Sequence, residues 1–96
     1  MSAPVVRIKD LPRHVGQDVT LHGWVTHVRS KGKIAFLVLR DGTGTVQTVA
    51  SVQDLDEAGF AQMAGATQES SVIIGGAVRA DARAPNGVEL SVRSFE

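Results

Sequence analysis

Residues 34–49 read IAFLVLRDGTGTVQTV, two runs of alternating side chains with an Asp-Gly pair between them. No other stretch restricts the fold as much. Side chains along a strand point alternately to its two sides, and Asp-Gly between two alternating runs is a strong hairpin signal. In the first run Ala35, Leu37 and Leu39 form one row, and Phe36, Val38 and Arg40 form the other. A strand apolar on both rows has one side in a core and the other partly covered. Arg40 marks the Phe36 row as the wet one, because a charged side chain is seldom fully buried.

The flanking sequence supplies further strands. DVTLHGWVTHVR (18–29) alternates up to Gly23, where a glycine inside a strand signals a bulge or bend. A bulge there places Trp24, Thr26 and Val28 inward and sends His27 and Arg29 outward. SKGK is a short turn into the second strand, and TVQTV returns as the third. Upstream, Pro12 and Gly16 break residues 5–17 into a strand-like or one-turn entry and a turn. Leu55, Ala58, Phe60, Met63 and Ala64 fall at roughly helical spacing and predict one short helix, weakened by Gly59 and Gly65. SVIIGGAVRAD and GVELSVRSF predict two more strands, joined by a turn through Pro85 and Asn86-Gly87. In the last of them Val88, Leu90 and Val92 alternate with Glu89, Ser91 and Arg93.

Three strands, a helix and two strands make an all-β fold: a five-stranded Greek-key OB-fold barrel with one short helix between strands 3 and 4. Closure removes free strand edges and lets a small core bury enough surface. Barrels of this type bind oligonucleotides on the strand 2–3 face and its flanking loops.

A chain of 96 residues predicts a single domain spanning 1–96. Its 43% apolar and 21% charged residues disfavour disorder, collagen and coiled coil. No apolar run approaches the roughly 20 residues of a membrane span, and the polar start lacks a signal-peptide core. A cytoplasmic location and no membrane partner are expected. The chain has no cysteine, and His14, His22 and His27 stand at no metal-ligand spacing, so no metal site is expected. No nucleophile triad or carboxylate dyad is visible. DGTGTV joins strands and precedes no helix, which fails the context of a phosphate loop. Net charge is zero, against a binder that works by bulk charge. Residues 27–41 nevertheless hold Arg29, Lys31, Lys33 and Arg40 against Asp41 alone. Residues 51–70 hold Asp54, Asp56, Glu57 and Glu69 with no Lys or Arg.

VTLHGWVTHVRSKGKIAFLVLRDGTGTVQTV, followed by GAVRAD and GVELSVRS, resembles the N-terminal anticodon-binding domain of class IIb aminoacyl-tRNA synthetases. The asparaginyl enzymes are most similar and the aspartyl ones next. The likeness runs from Val19 to Arg93, and its most specific part is the G-W-V, basic turn, F-L-x-L-R-D, G-x-V-Q series. It implies that Phe36 stacks on the middle anticodon base, a uridine, and that Gln47 hydrogen-bonds this base. It also implies that Arg29 contacts the same loop and that Glu89 reads the first anticodon base. The implied partner is a tRNA anticodon stem-loop, with its bases splayed on the strand 1–3 face. The parent synthetase is expected to be homodimeric, with ATP and magnesium confined to a catalytic domain. That domain is expected to be absent from a chain ending at Glu96, so the domain by itself is expected to bind rather than catalyse and to hold no cofactor. Asparagine and aspartate identity stay open, since the two anticodons differ only at their third base.

Each candidate has an ordinary reading as well. A lone strand phenylalanine is usually core, whereas one on a wet strand face is a stacking platform for bases. Lys31 and Lys33 are either solvated turn residues or phosphate contacts. His22 and His27 are expected at the surface, His27 within reach of RNA. Trp24 is expected in the core, and Arg40 beside a carboxylate such as Asp41 or Glu89. The alternative function is a free-standing single-stranded nucleic-acid binder. Four aromatic residues and balanced charge make it second choice. A protein-interaction barrel has no positive feature in the sequence.

Overall fold

The computed structural model describes residues 4–53, 55, 57–66, 70–81 and 87–95. The elements are β1 (Asp18–Lys31), β2 (Ile34–Arg40), β3 (Thr45–Ser51), α1 (Glu57–Ala64), β4 (Ser71–Ala80) and β5 (Val88–Phe95). They close a barrel in the order β1-β2-β3-β5-β4, with β1 pairing back onto β4. The expected element order is the one observed. Neighbouring strands are antiparallel except β3 and β5, which run parallel through Thr48↔Leu90 and Val49↔Ser91. That parallel pair seals a cylinder whose other four seams are antiparallel.

Strand β1 serves two neighbours, pairing β4 over Asp18–Trp24 and β2 over Trp24–Lys31. The changeover falls beside Gly23, where a Cβ would run into the backbone carbonyl of Arg40. Gly23 therefore permits a close strand crossing, and the bulge comes later. Val25 pairs with Leu39 but His27 with Val38, which leaves Thr26 as the extra residue. Its hydroxyl donates to the Val38 carbonyl at 3.1 Å, giving the disrupted ladder a side-chain hydrogen bond. This corrects the phase expected after Gly23. Val25 is the fully buried residue, while Trp24 and Thr26 are only half-buried. Val28 turns inward, and His27 and Arg29 face solvent, as the sequence predicted.

Inside the barrel Leu21, Leu37, Leu39, Ile74 and Leu90 are fully buried. Thr48 is buried among them, and its hydroxyl donates to the Leu37 carbonyl at 2.8 Å, so no polar group is left unpaired there. Helix α1 lies against β1, β2 and β5 and inserts Met63, with Phe60 packed on the core edge. The entry segment, expected to be strand-like or one-turn, is a 3-10 helix, Ile8–His14. Its Ile8 and Leu11 are fully buried. No side chain of its own caps its start; Asp41, from the β2–β3 turn, accepts a hydrogen bond from the Ile8 amide at 2.8 Å.

The same carboxylate accepts from the Thr43 hydroxyl at 2.6 Å and from the Thr43 amide at 2.8 Å. Partial burial pulls the Asp41 carboxyl upward, and hydrogen bonds from Thr43 and the Ile8, Thr43 and Gly44 backbones outweigh it, so the group sits below its ordinary value. Of the predicted turn through Pro85 and Asn86-Gly87, residues 82–86 lie outside the described residues, as do the acidic residues Asp54, Asp56 and Glu69.

Candidate nucleic-acid interface

Strand alternation and register place the outward side chains of β1, β2 and β3 in columns. On β2 the outer column is Ile34 and Arg40, both exposed, with Phe36 and Val38, both half-buried, while Ala35, Leu37 and Leu39 are buried. Cross-strand pairs build the rows. Lys31 faces Ile34 and then Ser51; Arg29 faces Phe36 and then Val49; His27 faces Val38 and then Gln47. The face thus has a basic column on β1, an apolar column on β2 and a mostly polar column on β3.

Phe36 is half-buried on this outer face, so it is not a core residue. The Arg29 Cζ lies 5.7 Å from its ring centroid, within range of a cation–π contact. Lys31 and Lys33 are exposed at the β1–β2 turn, which Gly32 makes possible with a φ of 61°. His27 is exposed one row from Arg29.

Gln47 and Glu89 are 42 positions apart in sequence, and the β3–β5 pairing brings them together. The Gln47 Nε2 donates to Glu89 Oε2 at 3.0 Å. The other carboxylate oxygen accepts from the Arg79 guanidinium at 2.7 Å, across the β4–β5 register pair Arg79↔Glu89. Glu89 is 9% exposed. Sequence alternation gave it an outward position but no sign that both oxygens would be engaged.

Arg40 is not paired with Asp41 or Glu89. Asp41 is occupied by Ile8 and Thr43, and Glu89 by Arg79 and Gln47. The Arg40 Cζ instead lies 5.1 Å from the Trp24 ring centroid, one row beyond His27. A hollow of about 500 Å³ is lined by His22, Gly23, Trp24, Ser71, Val72 and Ile73, on the β1–β4 side of the barrel. None of the site residues expected from sequence lines it. Among the described residues there is no group of three His, Cys, Asp or Glu that could hold a metal ion, and no helix is long and apolar enough to cross a membrane.

Residues 19–96 match the family described as "OB-fold nucleic acid binding domain". The chain belongs to that family. Asparagine–tRNA ligase from Chloroflexus aurantiacus is 50% identical over 93 residues, which are 97% of this chain and 21% of the ligase. The chain thus spans about a fifth of the length of such relatives. The crystal structure of asparaginyl-tRNA synthetase from Pyrococcus horikoshii superposes with a TM-score of 0.88 at 40% identity, over 95% of this chain and 22% of the other. A putative aspartyl-tRNA synthetase from Leishmania major Friedlin gives 0.88 at 29% identity, over 99% of this chain and 20% of the other. The OB-fold domain described here is therefore homologous to one segment of these synthetases. The likeness to the asparaginyl enzymes is the higher in sequence.

Proposed function

We propose that this OB-fold domain docks a tRNA anticodon loop on the outer face of β1, β2 and β3, as part of an asparaginyl-tRNA synthetase-like protein. Ligation chemistry, with its ATP and magnesium, and any homodimer contact would belong to other parts of such a protein. The observation that carries the reading is Phe36: an aromatic ring outside the core, with a basic column on one side and a polar one on the other.

The columns match the parts of an unstacked RNA strand. Phosphates are held by cations, base faces by apolar and aromatic groups, and base edges by hydrogen-bonding groups. Arg29, Lys31 and Lys33 would take phosphates, with His27 beside them. Phe36 would carry the middle base, and Gln47 would reach its edge. Arg29 lies by the Phe36 ring in the free domain. An exposed cation–π contact is worth about 0.5–1 kcal/mol, and stacking of a base on an aromatic about 1–3 kcal/mol. A base can therefore displace the guanidinium, which then becomes available to a phosphate.

Titration with anticodon stem-loops, an unrelated hairpin and a poly-dT strand tests the proposal. Preference for the stem-loops carrying the asparagine or aspartate anticodon is expected. Equal affinity for all three would point to a sequence-tolerant single-strand binder and overturn the reading.

A further inference from the structure

We infer that Glu89, held by Arg79, is a positioning residue that fixes the orientation of the Gln47 amide and so makes the site select uridine over cytidine. The inference rests on the anticodon-loop reading and adds the source of its selectivity.

A glutamine amide by itself does not separate the two pyrimidines. Uridine presents an N3–H donor beside the O4 acceptor, and cytidine presents an N3 acceptor beside the N4 amino donor. An amide carries one acceptor and one donor group, so a half-turn about its last bond converts a partner for one base into a partner for the other. Selectivity requires that this half-turn be costly.

The Gln47–Glu89 contact makes it so. An ionised carboxylate only accepts hydrogen bonds, and Glu89 Oε2 lies 3.0 Å from Gln47 Nε2. Turning the amide would set Gln47 Oε1 against that oxygen, replacing a charge-assisted hydrogen bond by two acceptors in contact. Glu89 cannot swing away without leaving the Arg79 guanidinium, 2.7 Å from its other oxygen. Its side chain is only 11% exposed, so water does little to relieve an unpaired oxygen there.

With the amide held this way, Oε1 and the second Nε2 hydrogen are left for the base. A base stacked on Phe36 with N3 toward Oε1 and position 4 toward Nε2 meets a full complement if it is uridine. Cytidine in the same pose puts acceptor against acceptor and donor against donor. Glu89 thus acts on the middle base through Gln47.

Glu89→Gln tests this with little change of shape. A glutamine at position 89 can offer Gln47 either an oxygen or an N–H, so the amide is free to turn. Stem-loops differing only in uridine or cytidine at the middle anticodon position are titrated against both proteins, with thermal unfolding as a check on folding. The parent is expected to prefer uridine by at least about tenfold, the effect of leaving polar groups unpaired, and Glu89→Gln to lose most of that preference. Retention of the full preference in the variant overturns the lock and leaves the RNA reading in place. A parent that binds an unrelated hairpin as well as the anticodon stem-loop removes the reading and the lock together. The lock also has a signature without RNA: the two Gln47 side-chain N–H signals in an NMR spectrum should be well separated in the parent and draw together in Glu89→Gln. Identical signals in the two proteins overturn it.

Discussion

At the scale of single residues, burial and function make opposite demands on Phe36, and one substitution distinguishes them. A phenylalanine in a core costs about 3–5 kcal/mol of stability when cut to alanine. Phe36 lies half-buried on the outer face, so Phe36→Ala should lower the melting temperature only slightly. RNA binding should weaken by about 1–3 kcal/mol, the worth of one stacked base. A large fall in melting temperature with unchanged binding would return Phe36 to a structural role. Arg40 and Trp24 should behave in the reverse way. Their contact at 5.1 Å is an exposed cation–π pair, so Arg40→Ala should cost about 0.5–1 kcal/mol of stability by denaturant unfolding and leave stem-loop affinity unchanged. The wet character of the Phe36 row was legible in sequence because Arg40 shares it. Which group Arg40 meets was not, since Trp24 reaches the outer face only through a phase set by strand crossing. Glu89 shows the same limit. Its alternation was plain, but its partners come from β3 and β4, and no local pattern announces a contact across 42 positions.

At the scale of elements, the N-terminal 3-10 helix depends on a residue from elsewhere. Asp41 joins the start of that helix to the β2–β3 turn through the Ile8 amide and both donors of Thr43. Asp41→Ala should cost about 0.5–2 kcal/mol, as for loss of a helix cap, and should speed amide exchange in residues 8–14. The pH dependence has a definite sign. Because the folded carboxyl sits below its ordinary value of 3.8, its contribution is complete above that value and is lost as pH falls through the folded value. The stability gap between the parent and Asp41→Asn should therefore be widest near neutral pH and narrow in acid, as followed by chemical unfolding. A gap that stays constant down to pH 2 would show that the charge is not what holds the turn. Strand identities, the Asp-Gly hairpin and the single helix were legible because each is written in local periodicity. The entry was legible only as strand-like or one-turn, because Pro12 and Gly16 indicate a break but not the distant carboxylate that caps the segment. The bulge was displaced from Gly23 to Thr26 for a similar reason. Gly23 makes room for the Arg40 carbonyl, a contact between two strands, and a glycine needed for close approach looks in sequence like one needed for a bulge.

At the scale of the whole molecule, zero net charge sets how binding should respond to salt. A strongly basic domain gathers RNA by its long-range field, whereas a neutral one must rely on the few cations at the contact, because the fields of opposite charges cancel beyond about a Debye length. On the proposed reading those cations are Arg29 and Lys31, exposed on the β1 column beside Phe36, and Lys33, exposed in the turn that follows. Each phosphate neutralised on a single strand adds about −0.7 to the slope of log K against log salt. Three contacts give a slope of about −2, far shallower than that of a protein making many phosphate contacts. Lys31→Ala and Lys33→Ala should each flatten it by less than about one unit. The double substitution should flatten it by about 1.4 if both side chains reach phosphates. Neither change should alter the preference for one base over another, because phosphate contacts position the strand without reading it. The measurement is stem-loop affinity across a salt series for the parent, the two single variants and the double variant, with uridine and cytidine loops in parallel. A parental slope in the double variant would make the turn ordinary solvated charge, and would leave Arg29 as the cation of that column that the RNA uses.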